Sequence, residues 1–204
     1  MKIDLKPFCA DDDDPRYYLR TPFNLNGYTV AVDGHVCVRV GLDDSYNDLQ
    51  EDKCESISNV LNKHFHDVES INFKPFKALP DLVYCDCKAC AGTGFMIKRQ
   101  CHECDGEGEL TLSSSCNDYE VDCYSCSGKG EITIKNTKET CIECNGSKQI
   151  VDHFKNTIEL GGSRVNNYLM KPVAELPNAM YAYTGDMAYI VKFDGGHAIV
   201  MGTR

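Results

Sequence analysis

Cys87-Lys88-Ala89-Cys90-Ala91-Gly92-Thr93-Gly94 opens a stretch in which one motif occurs four times. It returns as Cys101-His102-Glu103-Cys104-Asp105-Gly106-Glu107-Gly108, as Cys123-Tyr124-Ser125-Cys126-Ser127-Gly128-Lys129-Gly130, and as Cys141-Ile142-Glu143-Cys144-Asn145-Gly146-Ser147-Lys148. The consensus is C-x-x-C-x-G-x-G. Two intervening residues let both sulfurs of a pair reach one tetrahedral ion at about 2.3 Å, and two pairs complete a closed structural site. The first Gly permits the tight turn that brings backbone N–H groups toward the thiolates. Four pairs therefore predict two zinc ions per chain, with Cys87, Cys90, Cys101, Cys104, Cys123, Cys126, Cys141 and Cys144 as ligands. An iron–sulfur site and disulfides are the competing readings; haem attachment fails because no pair is followed by His.

Outward from this stretch the character changes. Residues 85–148 are rich in Gly and Cys and have no sustained apolar period, so they bury little and need metal for order. The 204-residue chain, 42% hydrophobic, is long enough for one ordinary core beside such a module. The expectation is an α+β protein: an antiparallel-sheet body with two helices, made of residues 1–84 and 149–204, interrupted at 85–148 by an elongated two-zinc hairpin module.

In the body, Tyr28, Val30 and Val32 alternate along one run, and Val36, Val38 and Val40 do so again after Asp33-Gly34. That predicts a half-buried hairpin with the turn that Asp-Gly favours. Between Asn47 and Val68, the residues Leu49, Ile57, Val60, Leu61, Phe65 and Val68 fall on one face of an amphipathic helix packed on the sheet. A shorter helix is expected from Ser163 as N-cap, with Val165, Tyr168, Leu169 and Val173 as its stripe and Pro172 kinking or ending it. Met180–Tyr183, Ala188–Phe193 and Ala198–Met201 read as an antiparallel meander.

The net charge of −10 argues against non-specific capture of nucleic acid, which Lys and Arg supply. The acidic run Asp11–Asp14 lacks the Gly and closing Glu of a calcium loop and reads as a solvated turn. No apolar run reaches membrane-spanning length, and the beginning Met1-Lys2-Ile3-Asp4 lacks the apolar stretch of an export signal, so a soluble, cytoplasmic protein is expected. In a reducing compartment thirteen cysteines mean metal rather than disulfides. Cys9, Cys37, Cys54, Cys85 and Cys116 lie outside the repeats; Cys37 and Cys54 read as small buried hydrophobes, and Cys85 and Cys116 as alternative ligands at most. His64 and His66 read as a surface pair.

The four repeats closely resemble the cysteine-rich zinc-finger domain of the DnaJ co-chaperones. The resemblance implies nested pairing, first repeat with fourth and second with third. One ion would take Cys87, Cys90, Cys141 and Cys144, the other Cys101, Cys104, Cys123 and Cys126. The 18 residues between Cys104 and Cys123 suit a zinc ribbon, although the spacing leaves sequential pairing open. Lys148 stands where the last Gly belongs, and the chain has no His-Pro-Asp tripeptide and no Gly/Phe-rich linker, so the J-domain activity of that family is not expected. What the resemblance implies is a zinc-organised surface that binds another polypeptide, a chaperone-like client or a host factor.

The flanks resemble the repeating domain of bacterial DNA polymerase sliding clamps. Val32-Asp33-Gly34-His35 is similar to that family's strand ending in an Asp-Gly-His turn. Ala198-Ile199-Val200-Met201-Gly202-Thr203-Arg204, after Leu176-Pro177, is similar to its closing strand, from which Gly202 and Thr203 depart. Three functions therefore compete. The leading one is a non-enzymatic zinc protein that binds a protein partner. The second is a replication or repair accessory of clamp type, touching nucleic acid only if copies of the chain assemble into a ring. The third is a thiol–disulfide oxidoreductase, against which zinc ligation of the thiols argues.

Overall fold

A computed structural model describes residues 2–113, 117–134, 138–185 and 187–203. In chain order the first elements are strands β1 (Phe23–Leu25), β2 (Tyr28–Val32) and β3 (Val36–Gly41), helix α1 (Glu51–Phe65) and strand β4 (Lys74–Pro75). Six short strands follow: β5 (Tyr84–Asp86), β6 (Lys98–Gln100), β7 (Glu109–Ser113), β8 (Asp118–Asp122), β9 (Glu131–Thr133) and β10 (Gln149–Val151). The chain closes with β11 (Thr157–Leu160), β12 (Ser163–Asn166), helix α2 (Asn167–Ala174), β13 (Met180–Tyr183), β14 (Ala188–Phe193) and β15 (Gly196–Met201). These elements divide between two compact units, Met1–Leu82 with His153–Arg204, and Val83–Asp152. The expected module boundaries, 85 and 148, fall inside the second unit because β5 pairs with β10, and that ladder carries the module out to Val151.

The first unit is built on a seven-stranded sheet of order β1-β2-β3-β15-β14-β13-β4, in which every pair is antiparallel. The last three long strands form the expected meander. Both faces of the sheet are covered. Val30, Cys37, Ile190 and Ile199 pack beneath Leu61 and Phe65 of α1. Ala31, Val38, Val191 and Val200 pack beneath Val165 of β12 and Met170 and Val173 of α2.

Double coverage corrects the half-buried hairpin. Ala31 pairs with Val38 and Val32 with Cys37, so the register puts Val30 and Val32 on the α1 face and Val36, Val38 and Val40 on the α2 face. A strand buried on both sides reads as a continuous apolar run, in which alternation says nothing about solvent. The turn also differs: Asp33 precedes it, accepting N–H bonds from His35 and Val36 (2.7 and 2.6 Å), and Gly34 takes the first central position with φ +101. With positive φ at Gly34 but not at His35, the turn has the II′ geometry rather than I′, which needs positive φ at both central residues.

Both helices are shorter than expected. Leu49 lies outside α1 in an extended segment, its N–H donating to the Asn24 carbonyl, and Val68 lies beyond the helix end at His66; both are nonetheless buried with Leu61 and Phe65. Val60 is exposed. His64 is buried, not a surface partner of His66, because it falls one turn from Leu61 on the sheet-facing side. Ser163 is not a helix cap. Gly161 and Gly162 turn the chain so that β12 folds back on β11, and Asn166 caps α2 by accepting the Tyr168 N–H at 2.9 Å. Tyr168 is exposed, and Pro172 sits inside α2 two residues before its end.

Asp11, Asp12 and Asp13 are exposed in a turn, as expected, while Asp14 is held by Arg16 through bonds of 2.7 and 3.0 Å. Those bonds hold the Asp14 carboxyl down to about 2. No helix among the described residues is long and apolar enough to cross a membrane.

The second unit contains three antiparallel ladders nested in sequence, β5 with β10, β6 with β9 and β7 with β8. Among the described residues, those buried in it are eight cysteines and Gly94, Gly108 and Gly130. One cluster is Cys87, Cys90, Cys141 and Cys144 with Ile150 against it; the other is Cys101, Cys104, Cys123 and Cys126 with Leu110 and Ile132.

Candidate metal centres

Each repeat folds its backbone in one way. The residue after the second Cys and the Gly that follows both have positive φ: Ala91 and Gly92, Asp105 and Gly106, Ser127 and Gly128, Asn145 and Gly146. Two successive left-handed residues make a tight turn, closed in the first repeat by the Thr93 N–H on the Cys90 carbonyl at 3.1 Å. The chain then runs back past the second Cys, and the Gly94, Gly108 and Gly130 N–H groups donate to Cys90, Cys104 and Cys126 Sγ at 3.3, 3.3 and 3.2 Å. Amides aimed at sulfur stabilise the thiolate, the form that binds metal.

Two repeats then meet face to face. The Cys87 N–H donates to the Lys148 carbonyl at 2.8 Å and the Cys141 N–H to the Gly94 carbonyl at 3.0 Å. The second and third repeats make the same reciprocal pair, Cys101 to Gly130 at 2.8 Å and Cys123 to Gly108 at 2.7 Å. The structure thus brings together Cys87, Cys90, Cys141 and Cys144 in one quartet, and Cys101, Cys104, Cys123 and Cys126 in the other.

The quartets fit zinc. Sulfurs at the corners of a tetrahedron with bonds of about 2.3 Å stand about 3.8 Å apart. The observed separations are 3.9 Å for Cys87–Cys141, 3.7 Å for Cys90–Cys144, 3.8 Å for Cys101–Cys123 and 3.7 Å for Cys104–Cys126. A disulfide needs about 2.05 Å, and all eight thiols are free. Within each quartet every sulfur lies within 4.8 Å of every other, which leaves room for a single ion and none for a multi-iron cluster. Each chain accordingly holds two zinc ions.

The thiols differ in readiness. Burial by itself raises Cys90, but the Gly94 N–H and the sulfurs of Cys144, Cys87 and Cys141 outweigh it and bring the thiol down to about 6. The same opposition, with the Gly130 N–H, brings Cys126 down to about 7. In each folded quartet, then, a second Cys that accepts a Gly N–H, Cys90 or Cys126, is the sulfur most favoured as thiolate, while Cys87 and Cys123 are pushed up.

Among the described residues these quartets are the groups of three or more candidate ligands whose atoms converge. Cys9 and Cys37 are buried in the first unit, where burial pushes their thiols up to about 11 and about 12. Cys54 donates to the Leu49 and Gln50 carbonyls at 3.3 and 3.1 Å, and Cys85 lies in β5 opposite Ile150. Cys116 lies outside the described residues. Sequence reading missed the left-handed residue ahead of each first Gly; Asp105 and Asn145 are a visible signal for it, since Asn and Asp tolerate that backbone best, whereas Ala91 and Ser127 give none.

Lys148 keeps the backbone of the Gly it replaces, at φ +72, and still offers its carbonyl to Cys87. A side chain there costs about 1–2 kcal/mol, partly offset by about 0.5–1 kcal/mol that Gly loses in unfolded-chain entropy. Lys148→Gly should thus tighten zinc at the Cys87 quartet roughly threefold in competition with a chromophoric chelator. Weaker binding would show that the Lys148 side chain itself supports the site. For the other quartet, Cys104→Ser should lower zinc from two ions to about one. Alkylation mapping should then find Cys123 and Cys126 newly reactive and Cys87 and Cys90 still protected; reactive Cys87 would reveal coupled sites.

No family model and no curated protein matches the chain.

Proposed function

We propose that the protein is a non-catalytic zinc protein whose second unit presents a metal-ordered surface to another polypeptide. The observation that carries this reading is a pair of closed metal sites dressed on the outside with bare apolar side chains. Four buried thiolates complete each zinc, which leaves no coordination position for water or substrate, the feature a catalytic zinc requires. Beside the sites, Tyr124 is 94% and Ile142 79% exposed, each in the second position of its C-x-x-C pair. The module also exposes Tyr84, Phe95, Leu112 and Tyr119, so a large share of its apolar side chains faces solvent, which supports an interaction surface.

The order of the ladders supports reading Val83–Asp152 as one long hairpin pinned twice by zinc, and the first-with-fourth, second-with-third grouping is the one implied by the resemblance to DnaJ cysteine-rich domains. A redox role for any one C-x-x-C is disfavoured because its thiolates are committed to metal.

Cross-linking with mass spectrometry, using the zinc-loaded chain as bait, tests the proposal. Partner cross-links should map to residues 83–152 and disappear in Cys104→Ser and Cys90→Ser chains. Cross-links that map to the first unit, or that persist without zinc, would place recognition elsewhere.

A further inference from the structure

We infer that the β7–β8 ribbon is the docking surface for an extended polypeptide segment whose residues alternate basic and apolar. The inference rests on the protein-recognition reading above and specifies the chemistry of the partner.

The ribbon has two unlike faces. Leu110 stands opposite Val121 and Leu112 opposite Tyr119, so all four side chains share one face. Only Leu110 is spent on the interior, packed against the Cys101–Cys126 quartet; Leu112 and Tyr119 are each 55% exposed and Val121 39%. On the other face Glu109 stands opposite Asp122, Thr111 opposite Glu120 and Ser113 opposite Asp118. Four carboxylates thus crowd one side of a short ribbon. From Glu103 to Asp122 the sequence carries seven acidic residues and neither Lys nor Arg.

Neither face helps the isolated fold. Like charges directly opposite one another, as at Glu109 and Asp122, destabilise a ladder, and exposed apolar cross-strand pairs gain little while one side stays wet. A partner supplying positive charge to one face and apolar area to the other makes both favourable. The backbone adds the geometry: among the described residues β7 and β8 pair only with each other, which leaves an outer edge on each strand. A strand added to such an edge is held by main-chain hydrogen bonds, and its side chains fall alternately on the two faces. Alternation of basic and apolar residues is the pattern that matches. The charge also selects against other occupants. Anionic lipid and nucleic acid meet the carboxylate face with like sign. A second copy of the ribbon, added in the same plane, would set acid beside acid.

The test uses the full zinc-loaded chain and fluorescence anisotropy with three short labelled peptides: alternating lysine and valine, alternating glutamate and valine, and lysine and valine in two blocks. The alternating lysine–valine peptide should bind at least about tenfold more tightly than the other two. Leu112→Ser combined with Tyr119→Ser, checked to retain both zinc ions, should weaken it at least about tenfold, and Glu120→Lys should do the same without touching the apolar face. Equal binding of the block peptide, unchanged binding by these variants, or chain self-association abolished by the double variant would overturn the inference. If the double variant still forms zinc-dependent cross-links within residues 83–152, the ribbon assignment fails and the recognition function stands. If the peptide binds as expected but no zinc-dependent cross-links form, the recognition function is what fails.

Discussion

Stripping zinc from the intact chain with a strong chelator should unfold residues 83–152 while the remaining residues keep their hydrogen-exchange protection. The cause lies in what each unit buries. The first unit covers both faces of its sheet with Leu, Ile, Val, Phe and Met side chains, each worth about 1.5–3 kcal/mol when removed from water. The second buries eight cysteines and packs only Ile150, Leu110 and Ile132 against them. Metal supplies the missing term, since structural zinc contributes roughly 10–16 kcal/mol of apparent binding free energy at neutral pH in small fingers. Amides held across paired repeats, such as those of Cys101 and Cys123, should lose protection by several orders of magnitude. Amides of β14 and β15 should not change. Simultaneous loss in both units at one chelator concentration would mean that zinc belongs to the main core.

Replacing Gly130 by Ala should cost the chain one zinc ion. A Cβ at Gly130 would stand 2.1 Å from the Gly106 carbonyl oxygen, on backbone that already has φ +70. Neither partner can give way cheaply. The Gly106 N–H is tied to the Cys101 carbonyl at 3.1 Å, and the Gly130 carbonyl accepts the Cys101 N–H at 2.8 Å, so separating the strands pulls on Cys101 itself. The penalty should exceed about 3 kcal/mol, the left-handed strain being the smaller part. Zinc content should fall from two to about one, with Cys87 and Cys90 still protected from alkylation. Gly162→Ala is the control: it also has positive φ, but nothing lies within 4 Å of its new Cβ, and it should keep both ions. Retention of two ions by Gly130→Ala would show that the repeats meet less tightly than these distances state.

The metal chemistry was legible because it is local. A C-x-x-C pair commits its two sulfurs to one ion whatever the rest of the chain does, and the glycines in step with it announce the turn. The meander was legible for a similar reason, since Gly185 and Gly195 punctuate three apolar runs whose order in sequence is also their order in the sheet. The helix ends were less so. Leu49 and Val68 share a core with Leu61 and Phe65, and a periodic pattern cannot separate a residue inside the helix from one that reaches the same core from a segment before it, as Leu49 does, or from a short 3-10 turn after it, as Val68 does. Ser163 failed as a cap because the turn at Gly161 and Gly162 starts a strand, and Val165 is buried as a strand residue at a position that also fits a helical stripe.

By itself, then, the sequence determined the ligand type, the number of ligands and the local turn that presents each pair, all of them set within eight consecutive residues. Only the tertiary structure decided which pairs share an ion, because Cys87 and Cys141 are 54 positions apart and are brought together by the β5–β10 ladder and by hydrogen bonds between the two repeats, neither of which is written in a single repeat. It likewise decided that Val30 and Val38 face opposite cores and that His64 is buried. Alternation along a strand says that neighbours point opposite ways, but what covers each face is supplied by other elements, α1 on one side and the distant β12 and α2 on the other.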